Sequence, residues 1–347
     1  MAKKSIAVGA LRIGGGAPVT VQSMTNTSTA DIEATRAQIK RLEEAGCDIV
    51  RVAVPDLASA RAIAALKETA RAPLVADIHF DYRLALEAIA AGADKIRLNP
   101  GNIGSPERVR EVAAACREKG VPIRIGVNGG SLEKEILARH GGVTPEALVE
   151  SALGHVRLLN RFDFDDICIS VKASDVRVTV AAYRLLAERT DYPLHLGVTE
   201  AGTEYMGIIK SAAGIGALLL DGIGDTIRVS LTADPEREVR AGIALLRALG
   251  LRKTGAQVIS CPTCGRTQIN LIEIAAEVEK RLEGIKRPIT VAVMGCAVNG
   301  PGEARQADYG IAGGRGEGVL FKGGRVLRKV PMEHLVDALM DLIESDL

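Results

Sequence analysis

The sequence contains no tryptophan, and aromatic residues make up only 3% of its 347 positions. Alanine, glycine, leucine and valine dominate instead, a composition typical of parallel α/β proteins rather than of β-sandwiches. An excess of charge of either sign is also missing, because 44 basic residues are balanced by 43 acidic ones. The overall charge therefore favours neither a nucleic-acid partner nor a membrane surface.

Long apolar runs are absent as well. The start, Met-Ala-Lys-Lys-Ser, lacks the apolar core of a secretion signal, and no uninterrupted apolar run reaches the length that crosses a bilayer. We therefore expect a cytoplasmic protein. In that compartment the thiols of the 6 cysteines stay reduced and are usable as metal ligands.

Eight apolar runs of strand length alternate with amphipathic helical stretches between residues 18 and 249. No Gly-x-Gly-x-x-Gly fingerprint follows the first run, which disfavours an open dinucleotide-binding sheet. Eight β/α units over this length predict a TIM barrel, and we assign residues 1–250 to a substrate-binding barrel domain that begins with a polar lead-in. The predicted strands are Val19–Ser23, Asp48–Val54, Leu74–Ile78, Lys95–Leu98, Ile123–Val127, Asp166–Ser170, Leu194–Val198 and Thr226–Val229.

The pattern changes after Gly250, where a basic linker, Leu251–Gly255, leads into a shorter stretch without regular alternation. Residues 251–347 predict a small α+β domain. Its three cysteines follow the predicted strands Ala256–Ser260 and Ile289–Met294.

Cys261-Pro-Thr-Cys264 and the later Cys296 have the spacing of metal ligands. A structural zinc site needs four closed ligands, but no cysteine follows Cys296, and Glu303 is the nearest candidate for the fourth position. The spacing alone leaves an iron–sulfur cluster, a zinc ion and unligated thiols open. The other cysteines, Cys47, Cys116 and Cys168, are interpreted as small buried hydrophobic residues.

Basic residues recur within or just after the predicted barrel strands. Since chemistry in a TIM barrel occurs at the carboxyl ends of the strands, five such cations predict a site for a highly charged anion such as a diphosphate. They are Arg51, Arg97, Arg124, Lys172 and Arg228. The polar residues predicted for the same rim are Gln22, Asn26, Asp77, His79, Asn99, Asn128, Glu200 and Ser230.

Among these polar residues, Glu200 is the best-placed carboxylate for acid–base work. Asp77 and His79 fit a hydrogen-bonded structural pair as well as a catalytic one. The glycine-bounded segment Gly129–Gly142 is interpreted as a mobile flap over the barrel mouth.

The whole chain also resembles a known family. The stretches Val-Gln-Ser-Met-Thr-Asn-Thr, Ala-Asp-Ile-His-Phe, Ile-Arg-Leu-Asn-Pro-Gly-Asn-Ile-Gly, Ile-Ser-Cys-Pro-Thr-Cys-Gly-Arg and Val-Met-Gly-Cys-Ala-Val-Asn-Gly-Pro-Gly-Glu-Ala carry the resemblance. They are similar to those of the bacterial 4-hydroxy-3-methylbut-2-enyl diphosphate synthases of the non-mevalonate isoprenoid pathway. The resemblance implies a barrel joined to a cluster domain, with a [4Fe–4S] cluster held by Cys261, Cys264, Cys296 and Glu303.

The resemblance further implies that 2-C-methyl-D-erythritol 2,4-cyclodiphosphate is the substrate. Its diphosphate would be held by Arg51, Arg97, Arg124, Lys172 and Ser230, with Arg228 nearby. Asn128 on the rim and Asn299 beside Cys296 are further candidates to contact or orient substrate. We expect Glu200 to donate a proton to the leaving hydroxyl, and Glu303, a harder and more labile iron ligand than thiolate, to give way to substrate.

The electrons must come from another protein, because the sequence has no flavin or nicotinamide motif, so a reduced ferredoxin or flavodoxin is implied. A head-to-tail homodimer is also expected, because a linker that starts behind the last barrel helix is too short to bring the cluster domain over its own barrel mouth. The alternatives are a barrel acting on a pterin, similar to the dihydropteroate synthases, with structural zinc, and a nucleic-acid-binding zinc ribbon. The near-neutral charge disfavours the second.

Overall fold

The computed structural model describes residues 4–296, 302 and 304–346 of the chain. The chain divides into two compact units, Met1–Arg252 and Lys253–Leu347. Within the described residues, no helix combines the length and the apolar character needed to cross a membrane.

The first unit is built around a parallel barrel. Its strands are β1 (Ser5–Val8), β2 (Leu11–Gly14), β3 (Thr20–Met24), β4 (Ile49–Ala53), β5 (Leu74–Asp77), β6 (Lys95–Leu98), β7 (Ile123–Asn128), β8 (Ile167–Lys172), β9 (His195–Leu196) and β10 (Thr226–Ile227). Strands β3 to β10 pair in the order β8-β7-β6-β5-β4-β3-β10-β9, and a parallel bridge between Ile169 and Leu194 joins β8 to β9. The eight predicted barrel strands and the TIM-barrel fold are confirmed.

Helices follow the barrel strands and pack around them. They are α1 (Ile32–Glu44), α2 (Leu57–Lys67), α3 (Tyr82–Ala90), α4 (Pro100–Ile103), α5 (Pro106–Lys119), α6 (Lys134–His140), α7 (Pro145–Asn160), α8 (Val176–Arg189), α9 (Glu204–Leu220) and α10 (Pro235–Ala248). Asp31, Asp56 and Asp175 accept backbone N–H bonds in the first turns of α1, α2 and α8, which fixes where these helices begin. Helix α10 buries Val239, Ile243 and Leu246 on one face, as helical spacing requires.

The polar lead-in predicted for residues 1–17 is instead an antiparallel hairpin of β1 and β2. Ile6, Val8 and Ile13 pack against Ile49, Val75 and Cys168 of the barrel strands. The two strands are only four residues long, so their alternation of buried and exposed residues is too short to stand out in the sequence.

The second unit is a five-stranded sheet with helices on it. Its elements are β11 (Ala256–Ser260), α11 (Leu271–Leu282), β12 (Ile289–Met294), β13 (Tyr309–Ala312), β14 (Glu317–Lys322), β15 (Arg325–Pro331) and α12 (Leu335–Glu344). The sheet order is β11-β12-β13-β14-β15, with β11, β12 and β13 parallel and the last two strands antiparallel. Helices α11 and α12 bury Leu282 and Leu339 against Val291 and Ile311 of the sheet.

Candidate functional site

A cavity of about 160 Å³ opens at the carboxyl ends of the barrel strands. Seven of the eight residues predicted to bind substrate line it, together with Asp77, His79 and Thr199. These seven are Arg51, Arg97, Arg124, Asn128, Lys172, Arg228 and Ser230. The eighth, Asn299, lies outside the described residues.

Strand register explains why the basic side chains converge. Arg97 on β6 is paired in register with Arg124 on β7, and Lys172 on β8 is paired with Asn128 on β7. Since alternate residues of a barrel strand point inward, side chains at matched positions of neighbouring strands meet in the interior. Arg124 is only 2% exposed and Lys172 only 7%, so both cations are largely removed from bulk water.

Two buried carboxylates counter part of this positive charge. Asp77 accepts a hydrogen bond from Nη1 of Arg97 at 3.0 Å and lies 3.8 Å from Nε of Arg51. Glu238 on α10 accepts from Nε of Arg228 at 3.1 Å and from Nη2 at 3.3 Å. Burial alone would raise the pKa of Asp77, but Arg51, His79 and Arg97 hold it well below its usual value. Asp77 is therefore the charge partner of Arg97 and Arg51, and His79 lies 3.5 Å from it.

Burial and mutual repulsion disfavour the charged form of two basic side chains in the cavity, so their pKa values are lowered. Burial, followed by repulsion from Arg97, lowers the pKa of Arg124 to about 10. Burial lowers the pKa of Lys172 well below its usual value, and Arg124, Arg51, Arg228 and Arg97 lower it further. Such a cavity is suited to a ligand that carries more than one negative charge.

Two glycines make room for the cations, and the sequence analysis did not identify them. A Cβ at Gly126 would lie 2.7 Å from Nε of Arg97, and a Cβ at Gly197 would lie 2.6 Å from Nζ of Lys172. A glycine inside a strand often marks a close approach, so these positions could have been found from the strand pattern. Glu238, on the first turns of α10 rather than at a strand end, carries no such signal.

A second, larger cavity of about 620 Å³ adjoins the first and shares Asn128 and Thr199 with it. Glu200 lines this larger cavity rather than the smaller one. Its backbone φ is +53°, a left-handed conformation that a residue with a side chain adopts at a cost of about 1 kcal/mol or more. The left-handed backbone is a local feature of the loop that places Glu200 at the edge of this cavity.

The segment predicted as a flap, Gly129–Gly142, contains a 3₁₀ turn (Gly129–Ser131) and helix α6. The Glu133 carboxylate ties it to α7, accepting from Oγ of Ser151 at 2.8 Å and lying 3.0 Å from Nε2 of His155. The hydrogen bond from His155 comes first among the causes that lower the pKa of Glu133 to about 2. On the same helix, Glu150 pairs with both Arg139 and His140. Whether the segment moves stays a prediction.

The cysteine motifs lie at two neighbouring strand ends of the second unit. Cys261 follows β11 and Cys296 follows β12, and these strands are paired up to Ser260 and Val293. Sγ of Cys261 accepts a hydrogen bond from N of Gly295, 3.2 Å away, which brings the two motifs together. The Gln268 N–H donates to the Gly295 carbonyl at 2.9 Å. In the turn just before Gln268, the Cys264 N–H donates to Oγ1 of Thr267, and the Thr267 N–H donates to the Cys264 carbonyl.

The chemistry of these thiols suits soft metal ligation. Backbone and side-chain hydrogen bonds from Arg266 lower the pKa of Cys264, which favours the thiolate. Glu303 lies outside the described residues, within which no three His, Cys, Asp or Glu side chains lie close enough to hold a metal ion. Three thiols from two adjacent strand ends, with N–H donors directed at sulfur, nevertheless fit the protein side of an iron–sulfur site.

The remaining cysteines are buried in the first unit, as interpreted from the sequence. Burial raises the pKa of Cys47 to about 12 and that of Cys168 to about 11, so both stay protonated. All six cysteines are free thiols.

Comparison with known proteins covers both units. The family description "GcpE TIM-barrel domain" matches residues 3–243, and "GcpE protein C-terminal domain" matches residues 257–345. The 4-hydroxy-3-methylbut-2-en-1-yl diphosphate synthase (flavodoxin) of Geobacter sulfurreducens is 62% identical over 342 residues, covering 99% of this chain and 97% of that protein. The protein of the same name from Caldanaerobacter subterraneus is also 62% identical, covering 99% of this chain and 96% of its own.

Among solved structures, a truncated form of 3-deoxy-D-arabino-heptulosonate 7-phosphate synthase from Thermotoga maritima matches with a TM-score of 0.52 and 15% identity. It covers 72% of this chain and 94% of that one. At this identity the likeness shows the barrel fold alone.

Proposed function

The chain belongs to the GcpE family, and from this premise we propose that it has 4-hydroxy-3-methylbut-2-enyl diphosphate synthase activity. The reaction opens the ring of 2-C-methyl-D-erythritol 2,4-cyclodiphosphate, consumes two electrons and releases the C3 hydroxyl as water. The product is an isoprenoid precursor. The observation that carries the proposal is the cation-lined cavity at the carboxyl ends of the barrel strands.

Binding of the cyclic diphosphate is assigned to this cavity. Its phosphate oxygens take hydrogen bonds from Arg51, Arg97, Arg124 and Lys172, while Arg228 stays paired with Glu238 at the cavity edge. Asn128 and Ser230 line the same cavity and supply neutral donors, and Asn299 is proposed as a further substrate contact. Guanidinium forks match phosphate oxygens in pairs, which holds the ring in one orientation.

Proton delivery is assigned to Glu200. It lines the larger cavity that adjoins the cation-lined one, next to Thr199, which lines both. From there its carboxyl group gives a proton to the C3 hydroxyl, which leaves as water. The carbon–oxygen bond that closes the ring breaks, and the liberated phosphate oxygen remains among the cations.

A [4Fe–4S] cluster is the proposed cofactor, with Cys261, Cys264 and Cys296 as thiolate ligands and Glu303 as the fourth, exchangeable and catalytic ligand. When bound, such a cluster supplies electrons one at a time. The hydrogen bond that the Gly295 N–H donates to Sγ of Cys261 supports the thiolate assignments, as does the lowered pKa of Cys264. The barrel is proposed to end at residue 250 and the cluster domain to span residues 251–347.

The proposed electron donor is a reduced flavodoxin or ferredoxin, since the names of the curated relatives specify flavodoxin. We propose a cytoplasmic location, where the exposed Cys264 thiol remains reduced. The proposed assembly is a head-to-tail homodimer. An exposed apolar face on α9, which includes Tyr205, Met206 and Ile209, gives a surface that a second copy could cover.

The test is an anaerobic assay of the purified protein with the cyclodiphosphate and reduced flavodoxin, with the product identified by mass spectrometry. Arg124→Met should lose most activity, since each lost charge-assisted contact costs about 1.5–3 kcal/mol. Arg61→Met is the matched control, because Arg61 pairs with Glu87 on the barrel exterior. A wild-type protein that carries iron and sulfide yet forms no allylic diphosphate would contradict the proposal.

A further inference from the structure

The cation-lined cavity holds more positive charge than its carboxylates balance. Asp77 pairs with Arg97 and lies near Arg51, and Glu238 pairs with Arg228. Across the described part of the barrel, Arg124, Lys172 and Lys95 have no carboxylate within ion-pair distance. Lys95 lies on β6 two residues before Arg97 and is 0% exposed, and its Nζ has no hydrogen-bond partner there.

These cations differ in whether they can lose their charge. Arginine keeps its proton in proteins, whereas a buried lysine can release it. Of the described residues that line the cavity, Lys172 alone is a lysine. Its Nζ lies against the backbone at Gly197, where a Cβ would be 2.6 Å away, and Arg124, Arg51, Arg228 and Arg97 are its charged neighbours.

On the basis of the proposed function, we propose that Lys172 is neutral in the ligand-free cavity and takes up one proton when the cyclic diphosphate binds. A cyclic diphosphate carries one strongly acidic oxygen on each phosphorus, so it is a dianion at any pH at which lysine titrates. Its arrival adds two negative charges beside Lys172, whose strongest charged neighbours in the ligand-free cavity are arginines. Lys172 is therefore positively charged only while the cyclic diphosphate is bound.

The other titratable groups around Lys172 do not replace it. Burial, then Lys172, Arg124, Lys95 and Arg51, lower the pKa of His195 well below its usual value, so it stays neutral. Burial keeps Cys168 and Tyr183 protonated by raising the pKa of each. His79 lines the cavity but already lies beside the Asp77 carboxylate. Glu238 is occupied by Arg228.

Lys95 is the competing group. Burial lowers its pKa to about 8, and Arg124 and Arg51 contribute to the lowering. However, Lys95 does not line the cavity, while Lys172 does. Lys95 therefore provides the matched control: it is a second buried, unpaired lysine of the same barrel without direct access to the ligand.

The coupling bears on the reaction as well as on binding. Ring opening frees a further phosphate oxygen, so the product is more negative than the substrate. The positive charge that Lys172 gains on ligand binding then stabilises this additional negative charge. A cation that appears with the dianion also gives the site a preference for diphosphates over singly charged ligands.

The experiment is calorimetric titration of the anaerobic, cluster-containing protein with the cyclodiphosphate, without reductant, so that no turnover occurs. Two buffers of equal pH but different ionisation enthalpy give the number of protons taken up. The expected number is about one at a pH between the free and bound pKa values of the lysine. Lys172→Arg should reduce the uptake to near zero, whereas Lys95→Arg should retain it.

The outcomes separate the two proposals. Wild-type protein that binds the ligand with no proton uptake at any pH between about 6 and about 10 overturns the inference and leaves the proposed function intact. Absence of any binding contradicts the proposed function instead. Uptake that disappears in Lys95→Arg assigns the proton to Lys95 and refutes the role of Lys172. Uptake that persists in Lys95→Arg supports Lys172 even where Lys172→Arg binds no ligand.

Discussion

Asp77 and Arg97 lie at matched positions of neighbouring strands β5 and β6, and Arg97 Nη1 donates to Asp77 Oδ1 across 3.0 Å. The carboxylate also lies 3.8 Å from Arg51 and 3.5 Å from His79. The buried Asp77 carboxylate thus interacts with three groups that line the cavity. The same anion keeps two arginines of a crowded cation cluster in place before any ligand arrives.

Asp77→Asn should therefore destabilise the ligand-free protein. Removing one partner of a buried ion pair typically costs about 3–5 kcal/mol, because the remaining charge is left uncompensated. The folded pKa of Asp77 lies below its unfolded value, so its stabilisation is present above about pH 4 and is lost as the pH falls further. Urea unfolding of the wild type and the variant at several pH values measures this. Glu87→Gln, which breaks an exposed pair with Arg61, should cost no more than about 1 kcal/mol.

Gly126→Ala should weaken ligand binding without unfolding the barrel. The added methyl group would lie 2.7 Å from Nε and 3.1 Å from Nη2 of Arg97, so the guanidinium must move away from the cavity. Loss of one charge-assisted contact corresponds to about a tenfold or larger rise in the dissociation constant. Gly154→Ala in α7 is the control, since its nearest neighbour is an Arg157 nitrogen 3.8 Å away. Equal affinity of both variants in a binding titration would remove Arg97 from the ligand site.

The barrel and the converging cations could be predicted because each depends on a local pattern. The sequence contains eight apolar runs with helical stretches between them. Basic residues such as Arg97 and Arg124 occupy equivalent positions in those runs. Gly126 and Glu238 were missed, because what they do depends on a side chain from another element. Residues of β15 were also missed: Arg325, Val326 and Leu327 are all exposed, so the strand shows no alternation of buried and exposed positions.

The predicted flap shows a related limit. Its glycines and charges suggested an irregular segment, yet the segment contains α6, which two pairs connect to α7: Glu133 with His155 and His140 with Glu150. Such pairs join residues ten or more positions apart, which a local pattern does not reveal. The cluster ligands stay a prediction from the resemblance, because spacing alone left other sites open and Glu303 lies outside the described residues.

Glu133→Gln should loosen the attachment of α6 to α7. The carboxylate is partly exposed, so after allowance for solvent screening its contacts with His155 and Ser151 contribute about 1–2 kcal/mol. Its pKa is depressed to about 2, so the contribution is full at neutral pH and fades as the pH falls below about 5. Hydrogen exchange of residues 130–142 should accelerate in the variant at neutral pH. Identical exchange in wild type and variant would show that Glu133 does not anchor the segment.

Cys296→Ala should abolish iron retention, because the loss of one thiolate leaves two on the Cys-Pro-Thr-Cys turn. Iron and acid-labile sulfide per chain, measured after anaerobic purification, give the result without depending on turnover. Cys116→Ala is the control: this thiol is buried inside α5, far along the chain from the motif turns, and its removal should leave iron unchanged. Full iron content in Cys296→Ala would refute its assignment as a ligand.

The last prediction concerns the proposed homodimer. Nη1 and Nη2 of Arg252 donate to Asp48, at 2.8 and 3.2 Å, and Asp48 lies immediately before β4. The first unit therefore ends at the amino-terminal side of the strands, opposite the cation-lined cavity. From Arg252 to Ala256, where β11 begins, the chain reaches roughly 13 Å when extended. The six-residue strands β7 and β8 each rise roughly 20 Å, so this length does not span the barrel.

A site completed by a second chain removes this difficulty, since a two-fold head-to-tail pair places two such sites symmetrically. Mixing a Cys264→Ala chain with a Lys172→Ala chain, each inactive alone, should then restore partial activity, because one of the two sites in a heterodimer contains both intact halves. Mass spectrometry of the intact complexes verifies that heterodimers have formed. Mixing Cys264→Ala with a Cys296→Ala chain is the matched control and should restore nothing, as both variants lack the same half. Heterodimers without recovered activity in the first mixture would exclude a shared site. The cluster domain and the cation-lined cavity of one active site would then have to come from the same chain.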